Sequence, residues 1–213
     1  ELQNRTELRT LEGPAAFVQC VAFSPDGKSV AGGSFDRTVR LWNLDTMDEG
    51  RILGMHGGGV EALSFSRDGK WLASVGRDHL IKIWELATGK DRTLEGHADS
   101  VNAVVFSPSS KTLVTGGGDG LIKLWDVASG RELKVLRDHG EEISSLAFNA
   151  TGLLLAAGGN DGMIRLWNPI EGKILKTIPA HTLQVSSLSF APSGRILASC
   201  SADATVRFWN VDR

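Results

Sequence analysis

Hydrophobic positions in this chain come in short runs that alternate with polar ones and break at turn-forming residues. Residues 100–107 read SVNAVVFS, 112–117 TLVTGG, 121–127 LIKLWDV and 132–136 ELKVL, with PSSK, GDG and ASGR between them. Alternation at period two predicts half-buried β-strands, and the Gly-, Pro-, Ser- and Asp-rich interruptions predict tight turns. The stretch therefore reads as four antiparallel strands forming one twisted sheet.

The same pattern recurs along the whole chain. Trp42, Trp84, Trp125, Trp167 and Trp209 fall 41 or 42 residues apart, and Phe23, Phe65, Phe106, Phe148 and Phe190 keep step with them. So do Asp36, Asp78, Asp119, Asp161 and Asp203, and four of these have a histidine 22 residues upstream: His56, His97, His139 and His181. A repeat of this length marks one supersecondary unit copied in tandem. The copies run over about 8–49, 50–90, 91–131, 132–173 and 174–213, and together they read as a single domain over 1–213. A lone sheet of this kind has two partly apolar faces and buries neither, so successive sheets must stack.

In the third copy, Gly96-His97, Phe106-Ser107-Pro108, Asp119 and Trp125-Asp126 stand at characteristic spacings. With these motifs the chain resembles the WD40 repeat family. The resemblance implies an all-β propeller of five four-stranded antiparallel blades, each running from an innermost strand to an outermost one around a central channel. It also gives a meaning to the opening RTLEGP at 9–14, which echoes RTLEGH at 92–97. Residues 8–12 look like an outermost strand with no blade before it, and the last copy stops at its third strand. The expectation is that 8–12 pairs with 205–209 and closes the ring, since open strand edges invite aggregation. Five copies must turn through a large angle to close, so an arc of a larger ring stands as the alternative.

Within each copy the resemblance implies a structural hydrogen-bond relay from His to Asp across the turn and, through a Ser or Thr, to the Trp indole. Complete sets are His56/Ser74/Asp78/Trp84, His97/Thr115/Asp119/Trp125 and His181/Ser199/Asp203/Trp209. The fourth copy keeps His139, Asp161 and Trp167 but has Ala157 in place of the hydroxyl, and the first has Pro14 for His and Gly32 for Ser. Asp36 is thus left without an imidazole and its turn is expected to be less constrained. Restoring the set with Pro14→His and Gly32→Ser is expected to stabilise the fold. A Ser-His-Asp triad present in three near-identical copies is what a scaffold needs and catalysis does not, so no catalytic residue is assigned.

Composition narrows the remaining classes. With 23 Lys and Arg against 25 Asp and Glu, the formal charge is −2, which disfavours a nucleic-acid or anionic-membrane partner. The histidines sit one copy apart with no second ligand at metal spacing, and the glycines at 116–120 precede no Lys-Ser/Thr or helix, so neither a metal nor a phosphate-binding cofactor is implied. Two cysteines, Cys20 and Cys200, fit a reducing compartment, with cytoplasm (or nucleus) the expectation; a disulfide between them would need a closed ring. The cations at one strand position (Arg40, Lys82, Lys123, Arg165 and Arg207) read as solvated charges with packed stems.

Function is expected at positions the repeat leaves free. In the resembled family partners dock on one loop face, which maps here to Phe17, Gln19, Phe35, Glu61, Arg77, Asn102, Glu142, Asn160 and Gln184. Phe17 and Phe35 place two aromatics on one blade beside Arg77, and such residues dominate interfaces. The reading is a non-catalytic scaffold or sensor module for a protein or peptide. A five-bladed sugar-binding or glycosidase-like propeller is the alternative, and an assembly domain that binds its own copy is a third.

Overall fold

A computed structural model describes residues 7, 10–46, 50–137 and 139–211. All of its regular structure is β, in five antiparallel sheets. The first comprises β1 (Val18–Phe23), β2 (Ser29–Ser34), β3 (Thr38–Asn43) and β4 (Arg51–Met55). The second comprises β5 (Val60–Phe65), β6 (Trp71–Gly76), β7 (Ile81–Glu85) and β8 (Asp91–Leu94). The third follows with β9 (Val101–Phe106), β10 (Thr112–Gly117), β11 (Ile122–Asp126) and β12 (Glu132–Leu136). The fourth holds β13 (Ile143–Phe148), β14 (Leu155–Gly159), β15 (Met163–Asn168) and β16 (Lys173–Pro179). The fifth has three strands, β17 (Val185–Phe190), β18 (Ile196–Ser201) and β19 (Val206–Asn210).

Local chemistry sets the turns. The residue after each recurring Asp has a left-handed backbone: Arg37, His79, Gly120, Gly162 and Ala204, with φ of 76°, 65°, 71°, 73° and 64°. Glycine fits that conformation without cost and occupies two of the five positions. At all five the Asp carboxylate accepts the amide two residues on, as in Asp36 to Thr38 at 2.9 Å and Asp203 to Thr205 at 3.0 Å. The turn is pinned by the side chain whichever residue follows.

Packing follows from alternation along each strand. Leu113 of β10 faces the second sheet while Val114, its neighbour, faces the fourth. Each of the four buried clusters accordingly spans two consecutive sheets, and none lies within one. Ala73, Val75, Ile81 and Ile83 of the second sheet meet Val101, Val104 and Phe106 of the third. The innermost strands line up as β1, β5, β9, β13 and β17, each in contact with the next. Blade geometry is thus that of a propeller.

The expected clasp does not appear among the described residues. Thr10–Pro14 carry no strand and the fifth sheet ends at β19; residues 1–6, 8 and 9 lie outside the description. Strands β1 and β17 make no contact comparable to the four internal junctions. The outward faces of the first and fifth sheets are accordingly open. Phe23 is 68% exposed, whereas its counterpart Phe106 at an internal junction is 6% exposed.

That contrast yields a prediction. Removing a buried Phe side chain costs about 3–5 kcal/mol, the transfer term plus a cavity. In dilute solution Phe106→Ala should lower the denaturation free energy by about that much, and Phe23→Ala by well under 1 kcal/mol. Chemical denaturation of both variants measures the difference.

Candidate functional site: the channel mouth

Three of the five relays form as expected. His56 Nδ1 lies 3.0 Å from Asp78, its Nε2 is 2.8 Å from the Ser74 hydroxyl, and the Trp84 indole donates to that hydroxyl at 2.9 Å. His97, Thr115, Asp119 and Trp125 repeat these distances. His181, Ser199, Asp203 and Trp209 give 3.0, 2.7 and 2.9 Å. An ionised carboxylate only accepts, so Nδ1 carries the ring proton and Nε2 receives the hydroxyl's. The chain of donors runs one way, from indole to hydroxyl to imidazole to carboxylate.

Burial depresses the pKa of His56 and His97, outweighing the pull of Asp78 and Asp119. Burial opposes the charged carboxylates in turn, yet hydrogen bonds from His56 and the Gly57 amide hold Asp78 below its usual range, and the Ala98 amide and His97 do the same for Asp119.

The other two blades depart from the expectation. In the fourth, Arg165 stands between His139 and Asp161, donating to His139 Nδ1 at 3.2 Å and to Asp161 at 2.7 Å. His139 turns its Nε2–H to the Ala157 carbonyl at 3.4 Å, and the Trp167 indole nitrogen has no partner. Burial and the neighbouring guanidinium both lower the His139 pKa. In the first blade Asp36 is better held than expected. It accepts the Ala15 amide at 2.7 Å and the Thr38 hydroxyl at 2.6 Å, and these with the Thr38 amide keep its carboxyl acidic against the effect of burial. The Trp42 ring has moved into the space of the missing hydroxyl: a Cβ at Gly32 would meet it at 2.8 Å. Gly32→Ser therefore requires the ring to move, and the expected gain in stability is withdrawn.

The channel mouth is built by a second recurring device. In every blade the pairing of innermost and second strands slips by one residue, at Gln19, Glu61, Asn102, Ser144 and Ser186. Such a β-bulge re-aims a side chain without breaking the sheet. All five bulged residues line one open cavity of about 740 Å³ shared by the five blades. Glu61 takes a hydrogen bond from Gln19 at 3.5 Å and an ion pair from Arg77. Glu142 accepts from Asn102 and Asn160, each at 2.7 Å. Gln184 lines the same cavity.

Beside it stand the two aromatics. Phe17 is 79% exposed, and its ring meets Phe35 edge-on at 6.4 Å between centroids. The Arg77 guanidinium lies 4.6 Å above the Phe35 ring. Phe35 is half-buried rather than freely exposed, because Arg77 and Gly59 cover it. Every loop-face residue expected from sequence thus falls in or beside one mouth. Asp99 also lines it and was missed, although its counterparts Ala16, Gly58, Glu141 and Leu183 share no chemistry and so mark a free position.

The remaining candidates resolve simply. The cation series is engaged blade by blade: Lys82 with Asp91, Lys123 with Glu132, Arg165 with Asp161, Arg207 with the Ala180 carbonyl, and Arg40 with that of Gly50. Cys20 and Cys200 are free thiols, and burial raises the Cys20 pKa to about 12.

A family model for the WD domain, G-beta repeat, matches this chain five times, at residues 5–43, 48–85, 89–126, 130–168 and 172–210. The chain belongs to the WD40 family. Among curated proteins, the Notchless protein homolog of Arabidopsis thaliana is 60% identical over 38 residues, which is 18% of this chain and 8% of that protein. The likeness thus covers about the length of one repeat in a much longer protein.

The WD40 relay predicts its own pH dependence. Unfolded histidine takes a proton near pH 6.5, while buried His56 and His97 resist it until lower pH. The unfolded state therefore binds more protons below pH 6.5, and stability is lost as pH falls. Melting temperature should be highest above pH 7 and decline toward pH 5, as thermal scans across that range would show. His97→Ala should cost about 1–3 kcal/mol, since it strips a partner from Thr115 and Asp119.

Proposed function

We propose that this WD40 protein is a non-catalytic interaction module that binds a protein or peptide at the channel mouth, over the edge formed by Phe17, Phe35 and Arg77. The observation that carries the reading is Phe17, exposed across most of its surface and set against Phe35 and Arg77. A large apolar group held rigidly in solvent usually marks an interaction site. Around it Asp99 and Glu142 give the mouth an acidic lining, while Arg77 offsets the charge of Glu61. The partner that suits this mouth places an apolar side chain against Phe17 and a basic one toward the channel.

Two arguments favour binding over catalysis. The relay hydroxyls of Ser74, Thr115 and Ser199 are buried, each already taking an indole N–H and facing an imidazole, so the relay presents no nucleophile to a substrate. The carboxylates that a glycosidase would need as a free pair are tied down, Glu61 by Arg77 and Glu142 by two asparagines.

The test is selection of peptides from a displayed random library on the immobilised protein. Selected sequences should combine an apolar and a basic residue, and Phe17→Ala with Arg77→Ala should weaken their binding tenfold or more. Both residues are exposed, so melting should be little changed. Leu133→Ala, on the outer strand β12, serves as the control and should bind normally. Equal binding by the double variant would refute the reading.

A further inference from the structure

Where the third and fourth blades meet, the surface opens into a groove of about 420 Å³. Asn102, near the start of β9, lines the mouth, whereas the groove begins at Ser107, beyond the other end of that strand. Leu133 and Lys134 of β12 line it from the third blade. From the fourth blade come Leu153, in the turn between β13 and β14, and Ile170, in the turn between β15 and β16. Leu133, Leu153 and Ile170 are each more than half exposed.

The repeat supplies its own control for these residues. The counterparts of Leu153 are Lys28, Lys70, Lys111 and Arg195, and those of Ile170 are Asp45, Ala87 and Ala128. The same groove between the first and second blades is lined by Asp26, Arg67 and Asp68. The turns thus fold with a charged or small residue where the fourth blade has leucine and isoleucine. An exposed apolar cluster that folding does not require marks an interaction site.

Charge narrows the occupant. Lys134 donates to the Ile170 carbonyl across the junction, as Arg92 does to the Ala128 carbonyl at 2.8 Å one junction earlier. A carbonyl anchors the ammonium without neutralising it, and two of its three protons remain to be given. Among the described residues Lys134 has no carboxylate partner, and no carboxylate lines the groove. Glu132 and Glu171, the chain neighbours of Leu133 and Ile170, pair with Lys123 and Lys173 instead. Lys134 is half-buried, where screening of its charge by salt is weaker.

We infer that this groove binds a short segment of a partner protein that carries aliphatic side chains beside a carboxylate. The aliphatic groups lie against Leu133, Leu153 and Ile170, and the carboxylate meets Lys134. A small molecule suits the site less well, because its orientation is fixed by a few placed polar groups in a concave pocket. Here the hydroxyls are spent on their own turns: Ser107 with Ser109 and the Thr112 amide, Thr151 with Asn149. The three apolar side chains stand open to solvent, as a peptide laid across the groove requires. The groove prefers an acidic partner and leaves the channel mouth free, so it stands apart from the function proposed above.

The test selects peptides from a displayed random library on the Phe17→Ala/Arg77→Ala variant, so the result does not depend on the mouth. Selected sequences should combine Leu, Ile or Val with Asp or Glu. Made as free peptides, they should bind tenfold or more weakly to a Leu153→Lys/Ile170→Ala variant, measured by fluorescence anisotropy. Both substitutions restore residues that other blades carry at exposed positions, so circular dichroism and melting should be unchanged. Lys134→Gln should remove the preference for each acidic peptide over the same peptide with its carboxylates replaced by amides. Failure to enrich aliphatic and acidic residues together overturns the inference, as does equal binding by the Leu153→Lys/Ile170→Ala variant. A preference for the acidic form that survives Lys134→Gln overturns it too. Self-association of the wild-type chain that this double variant abolishes would assign the groove to a second copy and overturn it as well.

Discussion

No blade of this protein has a core of its own. Every apolar cluster is shared by two neighbouring sheets, so a strand's two faces are specified by two different partners. This constraint explains why β6, β10 and β14 are buried along nearly their whole length, on both faces. It also explains why the first and last sheets are the most exposed parts of the molecule. A blade at an end has one face finished and one face without its complement, and in a repeat architecture stability is the sum of such interfaces. The exposed Phe23 and Phe208 are ordinary junction residues whose junction lies open.

The relay serves the same stacking at one remove. Trp84, Trp125, Trp167 and Trp209 each lie at the interface with the preceding blade, where an indole nitrogen without a partner would be orphaned. The hydroxyl on the adjacent strand takes that proton and passes its own to the histidine, which hands the chain on to the turn aspartate. An unmet buried donor costs about 1–3 kcal/mol, and the protein carries that deficit at Trp42 and Trp167. The fourth blade offsets part of it with Arg165, which supplies the positive partner Asp161 would otherwise lack. The first blade uses Thr38 and the Ala15 amide for Asp36. The turn is held in all five blades even where the imidazole is not.

Much of this was legible in the sequence because it is periodic. Tryptophan, phenylalanine, aspartate and histidine at fixed intervals give the strand count, the turns and the three complete relays directly. What periodicity does not reveal is how one departure is accommodated by another. Ala157 reads as a lost hydroxyl, but nothing in the pattern announces that Arg165 stands between His139 and Asp161. Gly32 reads as a gap, yet Trp42 fills it. The clasp was inferred from a repeated phrase, but the phrase RTLEG says only that the segment suits an outer strand, not that β19 has recruited it. The pairing rests on chain entropy and geometry that no motif encodes.

The bulges show how such a scaffold separates holding from displaying. A slip of one residue on the innermost strand frees Gln19, Glu61, Asn102, Ser144 and Ser186 from the in-or-out choice that binds every other strand position. These side chains point along the channel, where they meet one another and the adjacent loops rather than a neighbouring blade's core. A substitution there changes the mouth's charge or shape and leaves the apolar clusters between blades untouched, although Asn102 and Ser144 also bond the backbone of the next blade. That is why the five positions carry Gln, Glu, Asn and two Ser while the flanking residues on the same strands stay small or branched. The junction residues repeat because each must fit a copy of the same surface. The mouth residues differ because nothing within the fold requires them to match.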